Sequence, residues 1–188
     1  IIGLESLVRW QHPQKGLIMP GEFIPMLEEN GFITNLDLYM WEEVCRLLRQ
    51  WIDDGYQAVP ISVNISRIDF YAVDLIAVLT ELLQRYDLQP DLLELEITES
   101  AYARDYEQMT KTVSRLREEG FHVLLDDFGS AYSSLNILKD VNVDILKIDM
   151  KFLDLTDENL RRGMGILDAI IRMAKWMGFG VIAEGVEM

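Results

Sequence analysis

The chain has 188 residues, of which 49% are hydrophobic and 26% charged, a composition typical of a globular domain with a full-sized core. Its 17 Lys and Arg residues face 32 Asp and Glu residues, giving a formal charge of −15. This charge argues against a nucleic acid polymer as partner, because such polymers are held mainly by Lys and Arg. No stretch of about 18 apolar residues is present, so we expect no membrane span in this sequence. The single Cys45 cannot form an internal disulfide and favours a cytoplasmic location.

Six apolar, β-branched segments alternate with helical patterns along the chain. The strands are predicted at 2–8, 59–65, 92–97, 122–126, 143–149 and 179–183. This alternation predicts a parallel sheet, in either an open doubly wound fold or a closed (β/α) barrel. No Gly-rich phosphate loop follows the first strand, which weakens the open-sheet alternative. No internal repeat or linker is visible, so we expect one undivided domain.

Amphipathic helices are predicted between the strands. The first starts after Pro20-Gly21 and ends near Gly31, and the others lie at about 36–51, 70–86, 109–119 and 160–177. Gly120 and Gly178 follow the last two, where a helix C-cap requires the left-handed backbone conformation. We expect the Met and aromatic residues of these helices to lie in the core.

Each predicted strand ends in side chains that can bind a metal ion or a phosphate group. In chain order they are Glu5 with Arg9, Asn64, Glu96, Asp126 with Asp127, Lys147 with Asp149, and Glu184. Because side chains alternate along a strand, Glu5, Leu7 and Arg9 should share one face. In a parallel barrel the carboxyl ends of the strands form one rim, and this rim carries the active site.

Structural explanations compete at several of these positions. Glu5 or Glu96 alone could be a solvated strand end, and Asn64 could cap the following helix. The pair Asp126-Asp127 could form a turn stabilised by an Asx hydrogen bond. Each explanation accounts for one position, whereas a shared rim accounts for all of them.

The types of residue narrow the chemistry. Lys147 lies within an apolar strand. Burying a charged Lys there costs free energy unless its ammonium pairs with a carboxylate or a phosphate. His12 and His122 lack the spacing of metal ligands, and we interpret both as structural or surface residues. Ligands that are all oxygens suit hard cations such as Mg²⁺ or Mn²⁺, and adjacent aspartates can bridge a metal pair.

Seven segments carry a more specific signal. They are 3–10 (GLESLVRW) followed by His12-Pro13, 20–24 (PGEFI), 63–66 (VNIS), 96–99 (EITE), 126–135 (DDFGSAYSSL), 146–149 (LKID) and 183–187 (AEGVE). In content and order these segments resemble the motifs of the EAL-domain cyclic di-GMP phosphodiesterases. The resemblance spans essentially the whole chain. It implies a TIM-type (β/α) barrel over residues 1–188 that is truncated at both ends, because the family's first and last strands have no counterpart here.

The resemblance also implies a metal centre. Glu5, Asn64, Glu96 and Asp126 would bind one ion, and Asp126 with Asp127 would bind a second. The ions would be Mg²⁺ or Mn²⁺, with two in each active site.

Further roles follow from the same resemblance. Lys147 would position the attacking water and contact the phosphate, while Glu184 would be the general base or a metal-associated carboxylate. Glu99 would anchor the loop after the paired aspartates. The residues that would contact the cyclic dinucleotide are Arg9, Asp149 and Glu187.

The implied reaction is the hydrolysis of cyclic di-GMP to linear pGpG. A catalytically inactive module that binds cyclic di-GMP is the alternative, although such members usually lose a metal ligand or the Lys that this chain retains. From the residues alone, an enolase-like proton abstraction with Lys147 as base is a third hypothesis. We also expect the protein to be a homodimer in the cytoplasm. We expect it to be fused to upstream sensory or regulatory domains, and segments outside this sequence could anchor the parent protein to a membrane.

Two departures from the family pattern bear on this reading. Ser6 replaces Ala in the middle of the namesake triad and should point away from the metal. The loop after the aspartates reads Gly-Ser-Ala where Gly-Thr-Gly is typical, and Ala131 tolerates a left-handed backbone less well than Gly.

Overall fold

The computed structural model describes residues 1–104, 106–129, 138, 141–149 and 160–185. These residues form two compact units. The first contains Ile1–Leu95 and Glu119–Phe121, and the second contains the described parts of Glu96–Glu118 and His122–Met188. The boundary between Leu95 and Glu96 falls within a strand, which therefore contributes residues to both units.

The described residues include eight strands. They are β1 (Leu4–Glu5), β2 (Trp10–His12), β3 (Gly16–Ile18), β4 (Ile61–Asn64), β5 (Leu93–Thr98), β6 (Val123–Phe128), β7 (Ile145–Asp149) and β8 (Gly180–Glu184). Six of them form one sheet in the order β1-β4-β5-β6-β7-β8, and β1–β4, β6–β7 and β7–β8 are parallel pairs. Five of the six predicted strands are confirmed with shifts of at most two residues at their ends, and the first is present only as the two-residue strand Leu4–Glu5. Neighbours that follow chain order are the arrangement of a (β/α) barrel.

The first strand is shorter than predicted. It ends at Glu5, so neither Leu7 nor Arg9 continues it. Ser6 makes contact with β4 through its N–H and its Oγ, which both donate to the Ser62 carbonyl at 3.0 and 2.8 Å. The expectation that Glu5, Leu7 and Arg9 share one strand face is wrong, because the strand ends before Leu7.

A β-hairpin that was not predicted follows this point. β2 and β3 pair in antiparallel fashion. The Nδ1 atom of His12 accepts the N–H groups of Gln14 and Lys15, at 3.1 and 3.2 Å, and so closes the turn between the two strands. The Trp10 ring lies edge-on to Phe23 with ring centroids 5.7 Å apart. The structural interpretation of His12 is confirmed.

The helices of the first unit are α1 (Pro20–Asn30), α2 (Ile33–Asp53), α3 (Asp69–Ala72) and α4 (Leu75–Tyr86), with a 3₁₀ turn at Pro90–Leu92. The helix predicted at 70–86 is in fact two helices. Val73 is extended, with φ −138° and ψ 161°, and this interrupts the helical backbone. Asp74 then acts as the N-cap of α4, and its carboxylate accepts the Ala77 N–H at 3.2 Å.

The helices described in the second unit are α5 (Glu99–Arg104), α6 (Tyr106–Glu118) and α7 (Leu160–Met177). Gly120 and Gly178 follow α6 and α7 with φ of 94° and 84°, as predicted. Met109 of α6 is fully buried, but Met164 of α7 is half-exposed and Trp176 is 89% exposed. The prediction that helix Met and aromatic residues lie in the core is therefore only partly confirmed. No helix in the described part of the chain is long and apolar enough to cross a membrane.

A half-buried ion pair fixes the amino ends of three strands in the second unit. Arg117 of α6 donates to both carboxylate oxygens of Asp144, with a shortest contact of 2.7 Å. Asp144 exchanges hydrogen bonds with Val123, at the start of β6, at 2.8 and 2.9 Å. Its carbonyl accepts the N–H of Gly180, at the start of β8, at 2.7 Å. These contacts set the register that determines which side chains meet at the other ends of the strands.

We predict that Arg117→Ala lowers the free energy of unfolding by about 2 kcal/mol, because it removes charge-assisted hydrogen bonds to Asp144. Urea unfolding followed by circular dichroism measures this change. The control is Arg172→Ala, which removes an exposed pair with Asp168 one helical turn away and should cost about 0.5 kcal/mol or less. Equal effects of the two substitutions would contradict a structural role for Arg117.

Candidate active site

A buried lysine lies at the centre of a group of carboxylates in the second unit. Lys147 of β7 is 3% exposed. Its Nζ atom lies 2.8 Å from Oε1 of Glu96 on β5, 3.4 Å from Oδ1 of Asp126 on β6 and 2.7 Å from Oε1 of Glu184 on β8. Four consecutive strands of the sheet thus each contribute one charged side chain. The sequence-predicted residues Glu96, Asp126, Lys147 and Glu184 are brought together.

The carboxylates keep the lysine charged. Burial is the largest single influence and would lower the pKa of Lys147, but the hydrogen bonds to Glu184 and Glu96 and the charges of Glu96 and Asp126 together outweigh it. The pKa is consequently raised above the ordinary value for lysine. A lysine held as an ammonium ion cannot accept a proton, so this environment argues against the enolase-like hypothesis in which Lys147 is the base.

The paired aspartates lie within a strand and not in a turn. A register shift between Leu125 and Phe128 interrupts the pairing of β6 with β7, which is the mark of a β-bulge. Asp127 has a φ of 56°, in the left-handed region that Asp tolerates better than most residues. Its N–H donates to Oδ1 of Asp126 at 2.8 Å. The turn interpretation is wrong, because both aspartates lie within β6.

Negative charge accumulates around Asp127. Burial raises its pKa, and the neighbouring carboxylates of Asp126, Asp149 and Glu184 raise it further, against the opposing effect of Lys147. Carboxylates thus outnumber the single ammonium ion in this part of the second unit. Such an excess favours the binding of a cation.

Glu99 lies beside this cluster of charges. It is the first residue of α5 and is fully buried. Its Oε2 accepts the N–H of Gly129, the residue after β6, at 2.9 Å. This hydrogen bond fixes the backbone at Gly129, where the chain leaves β6 after the paired aspartates. The rest of that loop, with Ala131, lies outside the described residues, as does Glu187.

The other predicted residues belong to the first unit. Glu5 ends β1 and is paired in register with Ser62 of β4. Asn64 ends β4 with an exposed side chain, and its carbonyl accepts the indole N–H of Trp41 at 3.0 Å. The explanation of Asn64 as a helix cap is wrong, because α3 begins only at Asp69. Arg9 is exposed, and its Nη1 donates to the carbonyl of Val8 at 2.8 Å.

The donor set of the second unit fits a divalent metal ion by its chemistry. Glu96, Asp126, Asp127 and Glu184 offer only oxygen atoms, as Mg²⁺ and Mn²⁺ prefer. Among the described residues, no three His, Cys, Asp or Glu side chains surround a common point in the manner of a metal site. Instead, the ammonium of Lys147 takes one oxygen from each of three carboxylates. A metal ion would therefore have to compete with Lys147 for these oxygens.

Sequence reasoning missed three features that involve predicted ligands or the segment after Asn64. They are the bulge at the paired aspartates, the indole bond to the Asn64 carbonyl, and a contact between Asp37 of α2 and Asp69 of α3. For the third feature a signal was available. Asp37 interrupts the apolar stripe of α2 one turn before Trp41, and a charged residue on a buried helix face needs a partner.

Comparison with known proteins places this geometry in context. Residues 1–188 match the family model described as the EAL domain. The bifunctional diguanylate cyclase/cyclic di-GMP phosphodiesterase MucR of Pseudomonas aeruginosa is 37% identical over 188 residues, which cover 100% of this chain and 27% of that protein. The signaling protein YkoW of Bacillus subtilis is 40% identical over 185 residues, which cover 98% of this chain and 23% of that protein. The chain thus spans about a quarter of the length of these relatives.

A solved structure supports the fold class directly. The structure of the PaMucR phosphodiesterase in complex with c-di-GMP superposes with a TM-score of 0.90 and 37% sequence identity. The match covers 100% of this chain and 76% of that chain. The predicted TIM-type fold class is confirmed.

We predict that Lys147→Ala lowers the free energy of unfolding by about 3–5 kcal/mol when no divalent metal is present, because it leaves buried carboxylates without their cation. Chemical unfolding in the presence of a chelator measures the loss. Lys175→Ala, at an exposed position of α7, is the control and should change stability by about 0.5 kcal/mol or less. If both variants unfold like the wild type, Lys147 is not what balances the charge of these carboxylates.

Proposed function

The chain belongs to the EAL domain family, and we propose that it catalyses the metal-dependent hydrolysis of cyclic di-GMP to linear pGpG. The observation that carries this proposal is the buried Lys147 enclosed by the carboxylates of Glu96, Asp126 and Glu184. A module that only binds the dinucleotide has no need of a buried charge cluster of this kind, whose assembly costs desolvation energy. The names of relatives that hydrolyse or bind cyclic di-GMP support the choice of substrate.

The metal ligands are proposed from the family resemblance and from the chemistry of the side chains. Glu5, Asn64, Glu96 and Asp126 would hold one Mg²⁺ or Mn²⁺ ion, and Asp126 with Asp127 a second. When bound, such ions supply Lewis acidity toward the phosphate and toward water. If metal ions bind the carboxylate oxygens that now contact Lys147, the ammonium group of Lys147 loses some of these partners. It can then donate to a phosphate oxygen of the substrate.

Exposure distinguishes the roles of the carboxylates. The side chains of Glu96 and Asp126 are 1% and 15% exposed, whereas that of Glu184 is 30% exposed. Water reaches Glu184 most readily, which supports its role as the general base. Glu96 and Asp126, which lie deeper, suit the role of fixed ligands.

The proposed reaction is an in-line displacement at one of the two phosphorus atoms. Glu184 accepts a proton from the attacking water, and the water oxygen forms a bond to phosphorus. The bond from phosphorus to the ribose 3′ oxygen breaks, and that oxygen leaves as a hydroxyl group after taking up a proton. Lys147 stabilises the negative charge that builds on the phosphoryl oxygens. The product is linear, with one 5′-phosphate and one free 3′-hydroxyl group.

Substrate contacts are proposed for Arg9, Asp149 and Glu187 from the resemblance. Asp149 ends β7 two residues after Lys147 and so lies on the same side of that strand. The homodimer, the cytoplasmic location and the fusion to sensory or regulatory domains remain predictions.

We predict that Glu184→Ala lowers the turnover of cyclic di-GMP by about 100-fold or more, because general base catalysis contributes on the order of 100- to 10,000-fold. Binding of the dinucleotide should change by less than about threefold, since the lost interaction is made with water. Product formation is followed by chromatography with Mg²⁺ or Mn²⁺ present, and binding by calorimetry with Ca²⁺ in their place.

Glu28→Ala, an exposed glutamate of α1 in the first unit, is the matched control and should retain full turnover. Loss of binding and turnover to the same extent would mean that Glu184 holds the ligand. Wild-type chain that binds cyclic di-GMP and never cleaves it would replace the proposal by the inactive binding module.

A further inference from the structure

Helix α2 presents two buried polar side chains to the segment that follows β4. Trp41 is 0% exposed and Asp37 is 7% exposed. They are four residues apart, so they lie on one face of the helix, one turn from each other. The indole N–H of Trp41 donates to the carbonyl of Asn64 at 3.0 Å. All of these residues belong to the first unit.

The second contact involves a pair of carboxyl groups. Asp69, the first residue of α3, is 0% exposed, and its Oδ2 accepts the N–H of Ser66 at 2.8 Å. The side chain of Asp37 is hydrogen-bonded to that of Asp69 and also contacts Ser66. Two buried carboxylates in contact cannot both carry a charge at low cost, so one of them holds a proton.

The surroundings of Asp37 favour the protonated form of its carboxyl group. The pKa of Asp37 is raised to about 9; burial is the largest cause, and the hydrogen bond with Asp69 and the charge of Asp69 act in the same direction. Hydrogen bonds with Ser66 oppose the shift without reversing it. In its protonated form the Asp37 carboxyl group donates to Asp69, whose Oδ2 in turn accepts the N–H of Ser66.

The segment from Asn64 to Asp69 is thus held from one helix at both of its ends. Trp41 holds the carbonyl of Asn64, and Asp37 holds the side chain that fixes Ser66 two residues later. The side chain of Asn64 is exposed, so its direction depends on how firmly its backbone is held. An amide that serves as a ligand requires such support from the residues behind it.

We infer that Trp41 and Asp37 are positioning residues that preorganise Asn64 for metal binding. The inference rests on the proposed function, in which Asn64 is a metal ligand. Neither residue needs to touch the metal or the dinucleotide, because both act through the backbone of the segment from Asn64 to Asp69.

The first test compares Trp41→Phe with the wild type in the full chain. Phenylalanine keeps an aromatic ring but cannot donate to the Asn64 carbonyl. We expect the dissociation constant for Mn²⁺, measured by electron paramagnetic resonance without dinucleotide, to rise about tenfold. Turnover should recover when Mn²⁺ is raised in proportion. Trp51→Phe, at another tryptophan of α2, is the matched control and should leave Mn²⁺ affinity unchanged.

The second test uses substitutions at Asp37 and does not depend on how Trp41→Phe folds. Asp37→Asn retains a donor toward Asp69 and should keep wild-type Mn²⁺ affinity at neutral pH. Asp37→Ala removes the donor and should weaken Mn²⁺ binding about tenfold. Equal Mn²⁺ affinity in Asp37→Asn, Asp37→Ala and the wild type would overturn the inference, as would equal weakening by Trp41→Phe and Trp51→Phe.

The pH dependence of stability distinguishes a titrating Asp37 from a residue that only fills space, because a packing defect would not change with pH. A carboxyl group whose folded pKa lies above its unfolded value stabilises the fold at low pH, and this stability is lost as pH rises. The urea midpoint of the wild type should therefore fall relative to that of Asp37→Asn from about pH 5 to about pH 9. Parallel pH profiles for the two proteins would show that Asp37 does not hold the proton.

These outcomes separate the inference from the proposed function. A wild-type chain that binds Mn²⁺ with the expected variant pattern but never cleaves cyclic di-GMP contradicts only the proposed function. A wild-type chain that cleaves cyclic di-GMP while Trp41→Phe and Asp37→Ala bind Mn²⁺ normally contradicts only the inference.

Discussion

The charge balance around Lys147 is the constraint on which the candidate site depends. A buried ammonium is stable only where carboxylates surround it, and buried carboxylates need a cation in turn. The carboxylates around Lys147 come from three other strands, through Glu96, Asp126 and Glu184. These side chains can reach Lys147 only if β5 to β8 pair in one register. The link between Arg117 and Asp144 fixes that register at the opposite ends of β6, β7 and β8. The proposed chemistry uses the same carboxylates, and metal binding would release Lys147 toward the phosphate.

Much of the fold could be predicted because its signals are local. Strand–helix alternation predicted the six strands of a parallel sheet, and Gly120 and Gly178 marked helix ends through their left-handed backbone. The residues at strand ends also identified most of the candidate site, since parallel strands bring their carboxyl ends to one edge. The motif resemblance then gave the family, which the match over residues 1–188 establishes.

The remaining features depend on contacts between residues distant in sequence. The bulge at Asp126-Asp127 is defined by its pairing with β7, so no local pattern distinguishes it from a turn. The extended backbone of Val73 breaks a helix whose apolar period continues through it. The contact between Asp37 and Asp69 joins two segments that lie about 30 residues apart in the chain. Helix α2 carries none of the proposed ligands, and its contact with Asn64 also joins residues distant in sequence. Its proposed role in positioning Asn64 was therefore not visible in the local sequence pattern.

The central claim is that the carboxylates around Lys147 form the catalytic centre of a phosphodiesterase. A crystal structure of the chain with cyclic di-GMP and Ca²⁺, which occupies oxygen sites of this kind, tests it most directly. The account predicts electron density for Ca²⁺ on Glu96 and Asp126, with a phosphate oxygen about 3 Å from the Nζ atom of Lys147. A dinucleotide bound elsewhere, with Lys147 still enclosed by all three carboxylates, would contradict the account.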